Sequence, residues 1–168
     1  MGSDCHMYIQ YKSKTYSDKW WWSFGGKLNP GRDYTMFGIL ANVRNSDLSN
    51  YYDPKGLPSH ELSYECENDL YLYITKDGNC ENETTLARAK SWGCTIINDN
   101  QGNPYKVKRP DWHSHSWLTR KELKQAFKWY KKQNGNSPSF EYRSILKIMK
   151  VLENKGKNEV ELVFWFDN

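Results

Sequence analysis

The chain has 168 residues, 26% charged and 38% apolar, with 24 Lys+Arg against 20 Asp+Glu for a net charge of +4. That length suits one domain with a real core, and so modest a charge speaks against a dedicated duplex-DNA binder. Mean hydropathy is −0.93, yet 8 Trp, 12 Tyr and 6 Phe offer enough burial to exclude a disordered chain.

Residues 4–11 alternate, with Cys5, Met7, Ile9 and Tyr11 on one side and Asp4, His6, Tyr8 and Gln10 on the other. This predicts a half-buried strand carrying Asp4 and His6 together on its polar face. Residues 12–19 read as a turn, and Trp20-Trp21-Trp22-Ser23-Phe24 reads as a hairpin partner strand. Met36, Phe37, Leu40 and Val43 recur at helical spacing behind Asp33, a plausible N-cap. Residues 51–58, with Asp53-Pro54-Lys55-Gly56, form a loop. Residues 59–111 are the least legible, with 63–105 a candidate irregular insertion: residues 70–75 are strand-like, a turn follows at Asp77-Gly78, residues 83–92 suit a short helix, and residues 98–110 read as loop. Thr119-Arg120-Lys121-Glu122 is a capping box opening a helix with Leu123, Phe127 and Tyr130 inward, ended by Asn134-Gly135. A further helix from about Ser139 buries Tyr142, Ile145, Met149 and Leu152 and stops near Lys155-Gly156. Val160 to Phe166 closes the chain as a strand. The predicted class is α+β: one domain with a mixed or antiparallel sheet that includes the N- and C-terminal strands, and three or four helices packed on it.

Asp4-Cys5-His6 and His113-Ser114-His115 hold three of the four histidines. In extended backbone, side chains two apart share a side, so each run aims two ligand-capable groups at one surface. Asp and His serve hydrolysis as metal ligands (Zn, Mn or Mg) or as acid–base groups, with Ser114 and Ser116 supporting. The competing readings are an exposed edge-strand face for Asp4/His6 and a polar loop for His113/His115. Gly31-Arg32-Asp33, Arg44 and Lys55-Gly56 are candidates for orienting phosphate. Trp20, Trp21, Trp22 and Trp117 are candidates for stacking a base. Lys121, Lys124, Lys128, Lys131 and Lys132 crowd one helix, with Lys147, Lys150, Lys155 and Lys157 beyond it, either as a solvated face or as a phosphate-steering surface. His60 reads as surface. Cys5, Cys66, Cys80 and Cys94 make no CxxC pair, and neither a leader-like nor a membrane-spanning run is seen. The expected setting is a reducing cytoplasm, with no membrane.

Asp-x-His followed later by His-x-His resembles the ends of calcineurin-like metallophosphoesterases, without their Gly-Asp and Gly-Asn-His-Asp/Glu middle motifs. Over nearly its whole length the chain resembles a family of small, functionally uncharacterised bacteriophage and bacterial proteins. The resemblance rests on the N-terminal Met1-Gly2-Ser3-Asp4-Cys5-His6, on Gly31-Arg32-Asp33-Tyr34 through Phe37, Leu40-Ala41-Asn42-Val43-Arg44, on Pro54 to Pro58, on His113-Ser114-His115-Ser116-Trp117-Leu118-Thr119, and on Val163 to Asn168. It implies a phage protein in a bacterial host cytoplasm, where capture or destruction of nucleotide immune signals is one known anti-defence role. The leading expectation is a metal-dependent hydrolase of a phosphoester or nucleotide. Asp4, His6, His113 and His115 would be its ligands or acid–base groups, with Arg32, Arg44, Lys55 and Trp117 holding the substrate. The alternatives are a non-catalytic protein that sequesters a nucleotide, and an inhibitor that binds a host protein through exposed aromatics.

Overall fold

The computed structural model describes residues 2–13, 17–156 and 159–167; Met1, Lys157, Asn158, Asn168 and residues 14–16 in the turn expected at 12–19 lie outside them. In chain order the elements are β1 (Cys5–Ser13), β2 (Ser17–Ser23), α1 (Tyr34–Ala41), α2 (Tyr64–Leu70), β3 (Tyr71–Ile74), β4 (Glu83–Thr84) and α3 (Leu86–Ser91). There follow β5 (Ile96–Asn98), β6 (Pro104–Lys108), β7 (His113–Thr119), α4 (Arg120–Asn134), α5 (Phe140–Asn154) and β8 (Glu159–Phe166). The α+β class holds, with two sheets in place of one.

The first sheet has the order β2-β1-β8-β7, every pair antiparallel. The terminal strands do share it: β1 and β8 pair in unbroken register from Cys5↔Phe166 to Lys12↔Glu159. One face of this sheet packs on helices. Cys5, Met7, Ile9, Leu162, Phe164 and Phe166 meet Phe37 and Leu40 of α1, Leu123 and Ala126 of α4, and Tyr142, Ile145 and Met149 of α5. Periodicity finds these helices because each hides one stripe and wets the other. Asp33 caps α1 by accepting the Met36 N–H at 3.0 Å, and Asn42 ends it at φ 57.

The opposite face corrects the half-buried reading of residues 4–11. Tyr8 and Gln10 are 4% and 0% exposed, because α2 and β3 lie over them. Cys66, Leu70 and Tyr71 pack there on Tyr8, Val163 and Trp165. Alternation within one strand cannot announce a second covering layer. On this face the buried Gln10 amide is satisfied on both sides: its Nε2 donates to Glu161 Oε1 at 2.7 Å and its Oε1 accepts the Ser63 N–H at 3.0 Å. His60, expected at the surface, stacks on Trp21 at 4.2 Å between centroids and reaches Glu161 at 3.2 Å.

The second sheet, β4-β3-β6-β5, occupies the segment that reads as irregular. Residues 98–110, expected as loop, contain the turn of the β5–β6 hairpin and strand β6 itself. Asp99 organises that turn by accepting the N–H groups of Gln101 and Asn103, each at 2.8 Å. With α3 this sheet closes a small core of Leu72, Ala89 and Val107.

The capping box at the head of α4 is complete. Glu122 Oε2 accepts the Thr119 backbone N–H at 2.8 Å, and Thr119 Oγ1 accepts the Glu122 N–H at 3.3 Å. Thr119→Ala should therefore destabilise the protein by about 1 kcal/mol, read as a shift of the urea unfolding midpoint. An unshifted midpoint would show that α4 is held by its packing alone.

Candidate functional site

The antiparallel order β1-β8-β7 sets the start of β1, the end of β8 and the start of β7 side by side at one end of the first sheet. Both histidine runs therefore reach the same place. A residue that motif reading missed, Asp167, ties it together. Its N–H donates to the Asp4 carbonyl at 3.1 Å, its Oδ1 accepts the Asp4 N–H at 2.7 Å, and its Oδ2 lies 2.9 Å from His6 Nε2. Ser3 Oγ donates to the Asp167 carbonyl, and Ser3 is buried. The Asp4 carboxylate in turn accepts Arg32 Nε at 2.6 Å and Nη2 at 3.1 Å. The hydrogen bond from Arg32 holds the Asp4 carboxyl below its ordinary range despite some desolvation. Two residues assigned different tasks, a ligand and a phosphate-orienting cation, thus bind each other.

The imidazoles sit among large rings. His6 stacks on Trp112 with centroids 5.2 Å apart and tilts against Trp165 at 6.2 Å. Trp112 stacks on Trp165 at 5.1 Å, and His115 lies 6.3 Å from the same indole. Trp165 therefore stands between His6 and His115, with β8 separating their strands by about 10 Å of backbone at ~4.8 Å per step. His113 belongs elsewhere. Its ring stacks on Phe166 at 6.2 Å and its Nδ1 is 2.9 Å from Ser114 Oγ. Consecutive residues of β8 face opposite sides, so the expectation that His113 and His115 share a surface fails. The cause is a bulge: the register slips between His113 and Ser116, and Ser114 takes a left-handed φ of 51°, which turns its neighbours apart.

Nδ1 of His6 and Nε2 of both His113 and His115 are buried without a hydrogen-bond partner. Burial pushes His115 down to about 4, helped by the positive charge of Lys108 and by His113. It is neutral at pH 7. Among the described residues no three His, Cys, Asp or Glu side chains gather where a metal ion could be held. With Asp4 on Arg32, His6 on Asp167 and the other two histidines on opposite faces, these four side chains, expected as ligands for Zn, Mn or Mg, are not gathered at one point. The arrangement offers instead a His–Asp hydrogen-bonded pair, the form in which a carboxylate orients an imidazole for proton transfer.

Two concave regions lie near β7. One, of about 540 Å³, is lined among others by Tyr71, Lys108, Arg109 and Trp112, and the Arg109 guanidinium lies 5.1 Å above the Trp112 ring. Lys108 and Arg109 fall in residues 98–110, which read as loop, and Trp112 lies just beyond them. The other is a groove of about 660 Å³ lined by Tyr52, Trp117, Lys121, Lys124 and Lys128. Lys55 adjoins it, with Nζ 4.1 Å from the Trp117 ring centroid and 2.7 Å from Glu122 Oε1. Of the predicted ligand-binding residues, Lys55 and Trp117 are thus brought together. Arg44 lies over Tyr34 at 5.2 Å, and neither it nor Arg32 lines the groove.

His115 gives a pH signature. Between about 6.5 and about 4 the unfolded chain binds a proton at this position that the folded chain refuses, so folding stability falls as pH drops through that window. His115→Phe should remove this part of the dependence, so that the wild-type and variant midpoints, measured from pH 8 down to pH 4, diverge. Parallel profiles would show that His115 titrates alike in both states.

No protein-family model, curated protein or solved structure matches the chain.

Proposed function

We propose that the chain binds a phosphate-bearing planar ligand of the nucleotide class in the groove between α4 and the 51–56 loop, and captures it without cleaving it. One observation carries this reading. Lys121, Lys124 and Lys128 recur along one face of α4, line the groove beside Trp117 and Tyr52, and enter no ion pair among the described residues. Uncompensated ammonium groups attract phosphate, and an adjacent indole offers a base a face to stack on. Glu122, the carboxylate in the groove, is neutralised by Lys55. Capture of a nucleotide signal is one of the roles known in the phage setting that the resemblance implies, and no helix among the described residues is long and apolar enough to cross a membrane.

A second reading keeps hydrolysis. It rests on the 2.9 Å His6–Asp167 contact beside the Lys108, Arg109 and Trp112 concavity. His6 would exchange the proton while the two cations hold the phosphoester. A bound divalent ion would add charge stabilisation to such a reaction, but the side chains present give it no common set of donors.

The two readings part in one experiment. The protein is mixed with linear and cyclic nucleotides, with and without Mn²⁺, Mg²⁺ or Zn²⁺. Bound and released compounds are then identified by mass spectrometry after denaturation. Capture predicts that a nucleotide returns intact, and that Lys124→Glu with Lys128→Glu weakens its binding by about tenfold or more, ~1.4 kcal/mol, while His6→Ala leaves binding unchanged. Product formation abolished by His6→Ala would instead establish the hydrolase, and no retained nucleotide at all would end both readings.

A further inference from the structure

A third concave region, of about 680 Å³, has the opposite character. It is lined by Trp20, Trp21 and Trp22 on one side, by Glu61, Leu62, Tyr64, Glu65 and Glu67 on the other, and by Lys106. Three consecutive strand residues alternate faces, so a groove touching all three runs along the edge of their strand. That strand is β2, the outermost of its sheet. Trp20 and Trp22 are 58% and 46% exposed, and Tyr64 is 76% exposed. These are costly surfaces to leave in water, and an edge strand presents backbone donors and acceptors as well. The indole N–H of Trp21, itself 6% exposed, has no hydrogen-bond partner.

The charge says what fits. Glu67 is paired with Lys106, whereas Glu61 and Glu65 are exposed and enter no ion pair among the described residues. The groove is thus acidic on a chain whose net charge is +4. Indole faces hold cations, and this chain already places Lys12 Nζ 5.5 Å from the Trp21 ring. A second copy of the chain docking here would set two acidic walls against each other, which like-charge contact disfavours.

We infer that the groove along β2 is a docking site for an extended, lysine- or arginine-rich segment of another protein, which adds a strand to the edge of the sheet. Backbone hydrogen bonds to β2 supply the pairing. Alternate side chains reach the tryptophans and the glutamates. This surface is separate from the lysine groove and does not depend on what that groove binds.

The test uses the full chain and three synthetic octapeptides: alternating Lys-Thr, alternating Glu-Thr, and Lys-Thr carrying N-methyl groups on alternate amides. Binding is followed by tryptophan fluorescence and calorimetry. The Lys-Thr peptide should shift the emission to shorter wavelength and bind more weakly as salt rises. Glu61→Gln with Glu65→Gln, and separately Trp20→Ala, should each weaken it by about tenfold, while Glu141→Gln on α5 should leave it unchanged. Glu61, Glu65, Trp20 and Glu141 are all exposed, and circular dichroism confirms that each variant is folded. The Glu-Thr and N-methylated peptides should fail to bind. The inference is overturned if the Lys-Thr peptide does not bind, if the groove variants bind it as well as the wild type, or if the N-methylated peptide binds equally. It is also overturned if sedimentation shows dimerisation that Trp20→Ala abolishes, since the groove would then serve a second copy.

Discussion

The pairing of β8 between β1 and β7 is the constraint on which the rest of the molecule stands. From Val160 to Phe166 every residue of β8 is buried, because helices cover one face and the α2–β3 layer covers the other. Phe164 and Phe166 go to the first, and Val163 and Trp165 to the second. Full burial of such side chains is worth about 2–3 kcal/mol each against leaving them exposed, before the cost of ordering the chain. A strand covered on both sides reads as a continuous apolar run, and Val-Phe-Trp-Phe is such a run. The one polar residue within it, Glu161, is tolerated because Gln10 and His60 meet its carboxylate, while burial pushes that carboxyl above its ordinary range.

The same pairing separates the functional surfaces. The sheet's interior strands carry the His6–Asp167 contact at their end, under tryptophan cover. The sheet's two edges do different things. Along β7 the chain 52–56 lies close, with Gly56 N–H donating to the His115 carbonyl at 2.9 Å and Lys55 N–H to Ser116 Oγ at 3.1 Å. That edge is sealed, and its groove is made by side chains of α4. Along β2 the edge is bordered by the acidic groove. A basic groove and an acidic one on a single small sheet make the surface strongly polar in the electrical sense, although the net charge is small.

What could be read from residues alone follows from how local each signal is. The Thr119–Glu122 box, the Asp33 cap and the Tyr142-Ile145-Met149-Leu152 stripe are contained within one helix each, and all three appear in the fold. The strands β5 and β6 escape a local reading because each is short, β5 forming only against β6 and β6 only between β5 and β3. Helix α2, Tyr-Glu-Cys-Glu-Asn-Asp-Leu, hides only Cys66 and Leu70, too few to set a period. The site divides in the same way. That Asp4 and His6 share one face of a terminal strand was legible from alternation, whereas the arrival of His113 and His115 at the same end rests on β7 and its pairing with β8, which no local pattern announces. That Asp167 would join them was not legible, since an aspartate after an apolar strand has no motif around it. Nor was the bulge, because a serine at φ 51° carries no glycine to mark it.

The place of β8 in the chain has a consequence for how the protein comes into being. A ribosome delivers residues in order, and β8 follows every other described element. Until 159–166 have emerged, β1 has only β2 beside it, a two-stranded hairpin of marginal stability, and β7 has no neighbour in its sheet. The inward faces of α1, α4 and α5 wait with them. Phe37 and Leu40 therefore wait through more than 100 residues of synthesis for their covering strand, and the largest core closes only with contacts spanning more than 150 positions, Cys5 to Phe166 among them.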